Sequence, residues 1–64
     1  MAKDEGEWTL WSDDPIPVSR GTETEIKQKY EERVAENLSM AAILYLQDPE
    51  GNEWVFDGRR WVAQ

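Results

Sequence analysis

The stretch "LYLQDPEGNEWVFDGRRWV", Leu44 to Val62, alternates short apolar runs with two turn signals. In "DPEGN" proline stands second and glycine stands where a positive φ is required, the pattern of a type I turn closed by a bulge. Asp57 and Gly58 give the strongest short-range signal for a two-residue hairpin. Three consecutive antiparallel strands are expected, in "MAAILYLQ", "EWVF" and "RRWVAQ". The first of these is too short for a helix of its own, and its centre suits a buried strand.

The two turns set a register. A loop at Asp57 and Gly58 puts Phe56 opposite Arg59, Val55 opposite Arg60 and Trp54 opposite Trp61. A "PEG" loop puts Leu46 opposite Trp54 and Leu44 opposite Phe56. Side chains alternate and opposed residues share a face, so Leu44, Leu46, Trp54, Phe56 and Trp61 belong to one face. Arg59 falls at its rim. Ile43, Tyr45, Val55, Arg60 and Val62 belong to the other face.

Upstream the period changes. Ile26, Tyr30, Val34 and Leu38 recur every fourth residue, the stripe of an amphipathic helix expected from Glu23 to Asn37. Thr22 and Glu25 have the spacing of a capping box, and Glu23 and Glu25 complement the helix start. Lys27 with Glu31, Lys29 with Glu32 and Arg33 with Glu36 are available as surface pairs. "EWTLWS" alternates as a strand with Trp8 and Leu10 on one side and Thr9 and Trp11 on the other. "DDPIPVSRG", with two prolines that cannot donate hydrogen bonds, reads as an extended connection.

The expected fold class is α+β, in the order strand, helix, strand, strand, strand, with one helix packed on one face of a small, mainly antiparallel sheet. Residues 1–6 are expected as a disordered tail, and residues 7–64 as a single domain. A chain of 64 residues buries a modest share of its surface, and without cysteine it has no disulfide to supplement its core. Four tryptophans supply bulk instead. No apolar run reaches the roughly 20 residues of a membrane span, and "MAKDEGEW" has no leader-like core, so a cytoplasmic location without membrane contact is expected.

The formal net charge of -7 disfavours direct binding to nucleic acid, where lysine and arginine must displace counterions. With neither histidine nor cysteine, imidazole acid-base chemistry, thiolate nucleophiles and the usual transition-metal ligands are excluded. Ser12, Ser19 and Ser39 have no obvious activating base, and Asp13 and Asp14 lack the further oxygen ligands that a hard cation needs. No enzyme activity, cofactor or metal is expected.

"DPEGNEW" resembles the "DPDGN" turn of glyoxalase and dioxygenase-like metalloenzymes, whose modules also run strand, helix, three strands. That family places a ligand glutamate three residues after the asparagine, a position held here by Val55, so the resemblance implies topology and no metal chemistry. As a whole the acidic, tryptophan-rich, cysteine-free chain ending in "WVFDGRRWV" resembles small accessory proteins of bacteriophages, particularly those of actinobacteria. That resemblance implies a protein that binds a host or phage protein, often to inhibit it.

The residues themselves point to a binding function. One helix covers one face of a sheet, yet the second face carries Trp11, Ile43, Tyr45, Val55, Arg60 and Val62, types found at interface hot spots. Either the proline-rich connection or the tail folds over that face, or a protein partner or a second copy does. A different possibility is an acidic decoy that imitates nucleic acid, with Asp4, Glu5, Glu7, Asp13, Asp14 and the helix glutamates Glu23, Glu31, Glu32 and Glu36 standing in for phosphates.

Overall fold

Thr22 opens the helix as the capping box requires. Its hydroxyl accepts the N–H of Glu25 at 3.2 Å, and the Glu25 carboxylate accepts the N–H of Thr22 at 2.9 Å. The computed structural model describes residues 6–64. Helix α1 runs Glu23–Glu36, and Asn37 caps it with its N–H on the carbonyl of Arg33. Asn37 also starts the next element, since its side chain accepts the N–H of Ser39 and begins a 3-10 segment, Leu38–Ala42. Lys27 reaches back to Glu23 at 2.6 Å, rather than forward to Glu31, and Lys29 lies 4.0 Å from Glu32.

The strands are β1 (Trp8–Trp11), β2 (Ser19–Gly21), β3 (Tyr45–Gln47), β4 (Glu53–Phe56) and β5 (Trp61–Ala63). They form one antiparallel sheet in the order β2-β1-β3-β4-β5, with α1 packed against it, so the fold is α+β. Strand β2 is an addition to the expected order. The end of the proline-rich connection turns back into the sheet and pairs Ser19 with Leu10, Arg20 with Thr9 and Gly21 with Trp8, while Ile16 within the connection is exposed. Val18, one residue earlier, donates its N–H to the Leu10 carbonyl at 2.8 Å and packs on the core. Two residues thus oppose one, as in a bulge, and Val18 is turned to the helix side.

The core holds Trp8, Leu10, Ile26, Tyr30, Leu44 and Leu46, with Val34, Trp54, Phe56 and Trp61 packed around it. Tyr30 sits edge-on to Trp61 with ring centroids 4.8 Å apart, and Trp61 lies 5.3 Å from Phe56. Lys27 lays its stem here too, with Nζ about 6.0 Å from the Trp8 ring and 5.8 Å from that of Trp61. Leu38 does not complete the helix stripe: beyond the Asn37 cap it is 79% exposed. "MAAILYLQ" is not one strand either. Met40 accepts the N–H groups of both Ile43 and Leu44, which closes the 3-10 turn and delays the strand to Tyr45.

The expectation of a disordered tail falls on residues 1–5, outside the described residues, and on Gly6. Gly6 is half-buried against the Pro49 ring, which leaves no room there for a side chain. No helix among the described residues is long and apolar enough to cross a membrane.

Candidate functional site

The register of four strands lines up one row across the face that α1 does not cover. Trp11 pairs with Tyr45, Tyr45 lies one step beyond the Leu46–Trp54 pair and so faces Val55, and Val55 pairs with Val62. Each of the four is half-buried. The Trp11 indole donates to the side-chain carbonyl of Gln47 at 3.0 Å, which ties its ring down to β3. A second, polar row runs beside the first, made of Arg20, Thr9, Gln47 and Glu53.

Four of the six residues singled out from the sequence, Trp11, Tyr45, Val55 and Val62, are therefore brought together. Ile43 is not. It lies outside β3 in the αR region at the end of the 3-10 segment, and at 37% exposure it stands beside the row. Arg60 also moves. The hairpin is not a two-residue loop at Asp57 and Gly58, because Phe56 pairs with Trp61 and Trp54 with Ala63. Asp57 donates its N–H to the carbonyl of Arg60 at 3.0 Å, so Gly58 and Arg59 form the tip.

Asp57 explains the shift. Its carboxylate accepts the N–H groups of Arg59 at 2.8 Å and Arg60 at 2.9 Å, and Gly58 takes φ +101°. These backbone bonds, that of Arg60 first, hold the Asp57 carboxyl below the usual range. Arg59 consequently sits on the exposed tip rather than at the core rim, and Arg60 faces Asp57 instead of Val55. Arg60 lies one residue before β5, in the exposed bend of the hairpin beside Val62's strand.

Charge is distributed unevenly around this face. Its strand positions carry one acid, Glu53, and one base, Arg20, while α1 carries the five acids Glu23, Glu25, Glu31, Glu32 and Glu36 against the three bases Lys27, Lys29 and Arg33. An acidic protein thus presents a face that is close to neutral.

Other features were not evident from the sequence. An open apolar groove of about 480 Å³ lies between Tyr30, Val34 and Ala35 of α1, Ala41, and the hairpin residues Phe56 and Gly58, with Glu31 on its wall. Only the small residues Ala35 and Ala41 hint at it, since three separate elements build it. The buried indole N–H of Trp8 has no hydrogen-bond partner among the described residues. Burial pushes the Tyr30 hydroxyl above its ordinary pKa. Among the described residues, no three acidic, histidine or cysteine side chains converge as they would around a metal ion.

No protein-family model, curated protein or solved structure matches the chain, so the row and its surroundings carry the functional reading.

Proposed function

We propose that the protein is a non-enzymatic, cytoplasmic protein-binding module whose contact surface is the uncovered face of its sheet. The observation that carries this reading is the unbroken row Trp11, Tyr45, Val55 and Val62, which spans four strands, with Arg60 in the exposed hairpin bend that leads into β5. A sheet with one helix ordinarily keeps its free face polar, so an aromatic and aliphatic row there serves a contact. Tryptophan, tyrosine and arginine are the side chains that contribute most at protein interfaces, because each pairs a large apolar area with a polar or charged end. The resemblance to phage accessory proteins extends the proposal to a modulator, and in particular an inhibitor, of a host protein.

The glutamates of α1 favour a second reading, an acidic decoy for a basic protein. Lys27 and Lys29 offset two of them through Glu23 and Glu32, which breaks the uniform field that such a decoy requires. Two variants compared against a partner captured from host lysate separate the readings. Tyr45→Ala with Arg60→Glu is expected to keep its far-UV circular dichroism and to lose the partner by tenfold or more in affinity, on the order of one interface hot spot. Glu31→Gln, Glu32→Gln and Glu36→Gln together are expected to retain it. The reverse pattern would replace the sheet-face reading with the electrostatic one.

A further inference from the structure

We infer that the groove between α1, the 3-10 segment and the β4–β5 hairpin binds a small organic cation, an ammonium group carried on a compact aromatic or aliphatic body. The inference is independent of the uncovered sheet face, since the groove lies on the helix side of the sheet. Its volume of about 480 Å³ falls within the range of small-molecule sites, roughly 300–1,000 Å³. Three elements wall it, through Val34 and Ala35, through Ala41, and through Phe56 and Gly58. Small side chains make the room, which a larger residue at Ala35 or Ala41 would occupy. Leu38 is 79% exposed and stands three residues before Ala41, hence on the same side of the 3-10 turn, at the edge of the groove. A large apolar side chain left in water there gains burial when a ligand's body lies against it.

Charge selects the occupant. Glu31 is the one ionised side chain of the lining, and it is unpaired among the described residues, because Lys27 turns to Glu23 and Lys29 to Glu32. Arg33 and Arg59 belong to the same elements but line no part of the groove. Tyr30 adds a second polar group. It is 5% exposed, and its hydroxyl has no partner among the described residues yet is not shut off from solvent. A phenol oxygen and a carboxylate both accept hydrogen bonds, which an ammonium group supplies in number. The rings of Tyr30 and Phe56, 6.0 Å apart, receive the apolar body. An anion would meet Glu31 with no base to offset it, and a neutral molecule would crowd water from the carboxylate without replacing its hydrogen bonds. Glu31 is itself exposed, so its pairing supplies selectivity and a modest gain in affinity.

Titration of the full chain with phenethylammonium, followed through backbone amide chemical shifts, is the test. The comparison ligands are 2-phenylethanol, similar in shape but uncharged, and 3-phenylpropionate, of opposite charge. Phenethylammonium is expected to saturate with a dissociation constant on the order of 1 mM, ordinary for a ligand of so few atoms. It should move the amides of Glu31, Ala35, Ala41 and Gly58 and leave those of Tyr45 and Val62 in place. The alcohol is expected to bind about fivefold more weakly, the scale of one exposed ion pair, and the propionate not measurably. Glu31→Gln is expected to erase the amine's advantage over the alcohol, whereas Glu32→Gln, which removes the same charge outside the groove, preserves it. Ala35→Leu is expected to abolish binding of both; Ala35 is exposed on α1 and leucine is a good helix former, so the helix persists. No saturable shift up to about 20 mM would overturn the inference. Equal affinity of the wild type for amine and alcohol would overturn it as well, and so would equal losses in Glu31→Gln and Glu32→Gln, which would assign the attraction to net charge alone. The protein-binding reading stands or falls separately, on the Tyr45 and Arg60 variants.

Discussion

Four donors converge on the carboxylate of Asp48: the N–H groups of Glu50 and Asn52, the side-chain amide of Asn52, and the indole of Trp54 at 3.0 Å. The residue that reads as the first position of a turn is in fact a buried polar post that fastens the turn to the aromatic layer. Burial opposes its charge, but the bonds from Trp54, Asn52 and Glu50 outweigh it and hold the carboxyl below its usual range. Asp48 therefore binds its proton less readily in the folded chain than in the unfolded one. Its stabilisation is complete above the unfolded value of about 3.9 and is lost as pH falls through the lower folded value. Asp57 acts in the same direction. The thermal midpoint should be flat between about pH 5 and 7 and fall below about pH 4. Asp48→Asn should lower it at neutral pH, because an amide nitrogen then meets donors, and should make the acid decline shallower. An acid decline unchanged in that variant would assign it to other carboxylates.

Hairpin β4–β5 is the element on which sequence and structure differ most instructively. Turn chemistry indicated a hairpin there correctly but placed its tip one residue early, so each residue of β4 meets a partner two positions further on than expected. A slip of two leaves every side chain on its own face, which is why Trp61 remained with the core and Val62 with the open row. Facial alternation was therefore legible where exact pairing was not. The short β2 was hidden for a different reason: three residues after two prolines show no alternation, and its place comes from pairing with distant β1. The break before β3 did leave a signal, Asn37 followed two residues later by Ser39, the pairing of an Asx turn. At the tip, Gly58 at φ +101° has open space where a Cβ would stand, so substitution strains the backbone without a clash. Gly58→Ala should cost about 1–2 kcal/mol, a midpoint shift of roughly 4–8 °C per kcal/mol in a domain this small. An unshifted thermal transition would mean that the tip readily adopts another turn.

At the scale of the whole molecule, the order β2-β1-β3-β4-β5 divides the chain cleanly at one point of the sequence. Residues 1–37 contain β1, β2 and α1, residues 38–64 contain β3, β4 and β5, and among the described residues the β1–β3 pair is the sole strand pairing between them. The core is shared in the same way, with Trp8, Leu10, Ile26 and Tyr30 from the first part and Leu44 and Leu46 from the second. Two synthetic peptides cut at that point should each be unstructured, since neither owns a complete core, and should regain the circular dichroism of the intact chain when mixed. A cooperative transition in residues 38–64 alone would refute this. The aromatic and aliphatic row straddles the same seam, with Trp11 on one peptide and Tyr45, Val55 and Val62 on the other. On the proposed binding role, recognition is conditional on assembly: a nascent or half-degraded chain would lack the surface, and only the completed molecule would be competent to engage.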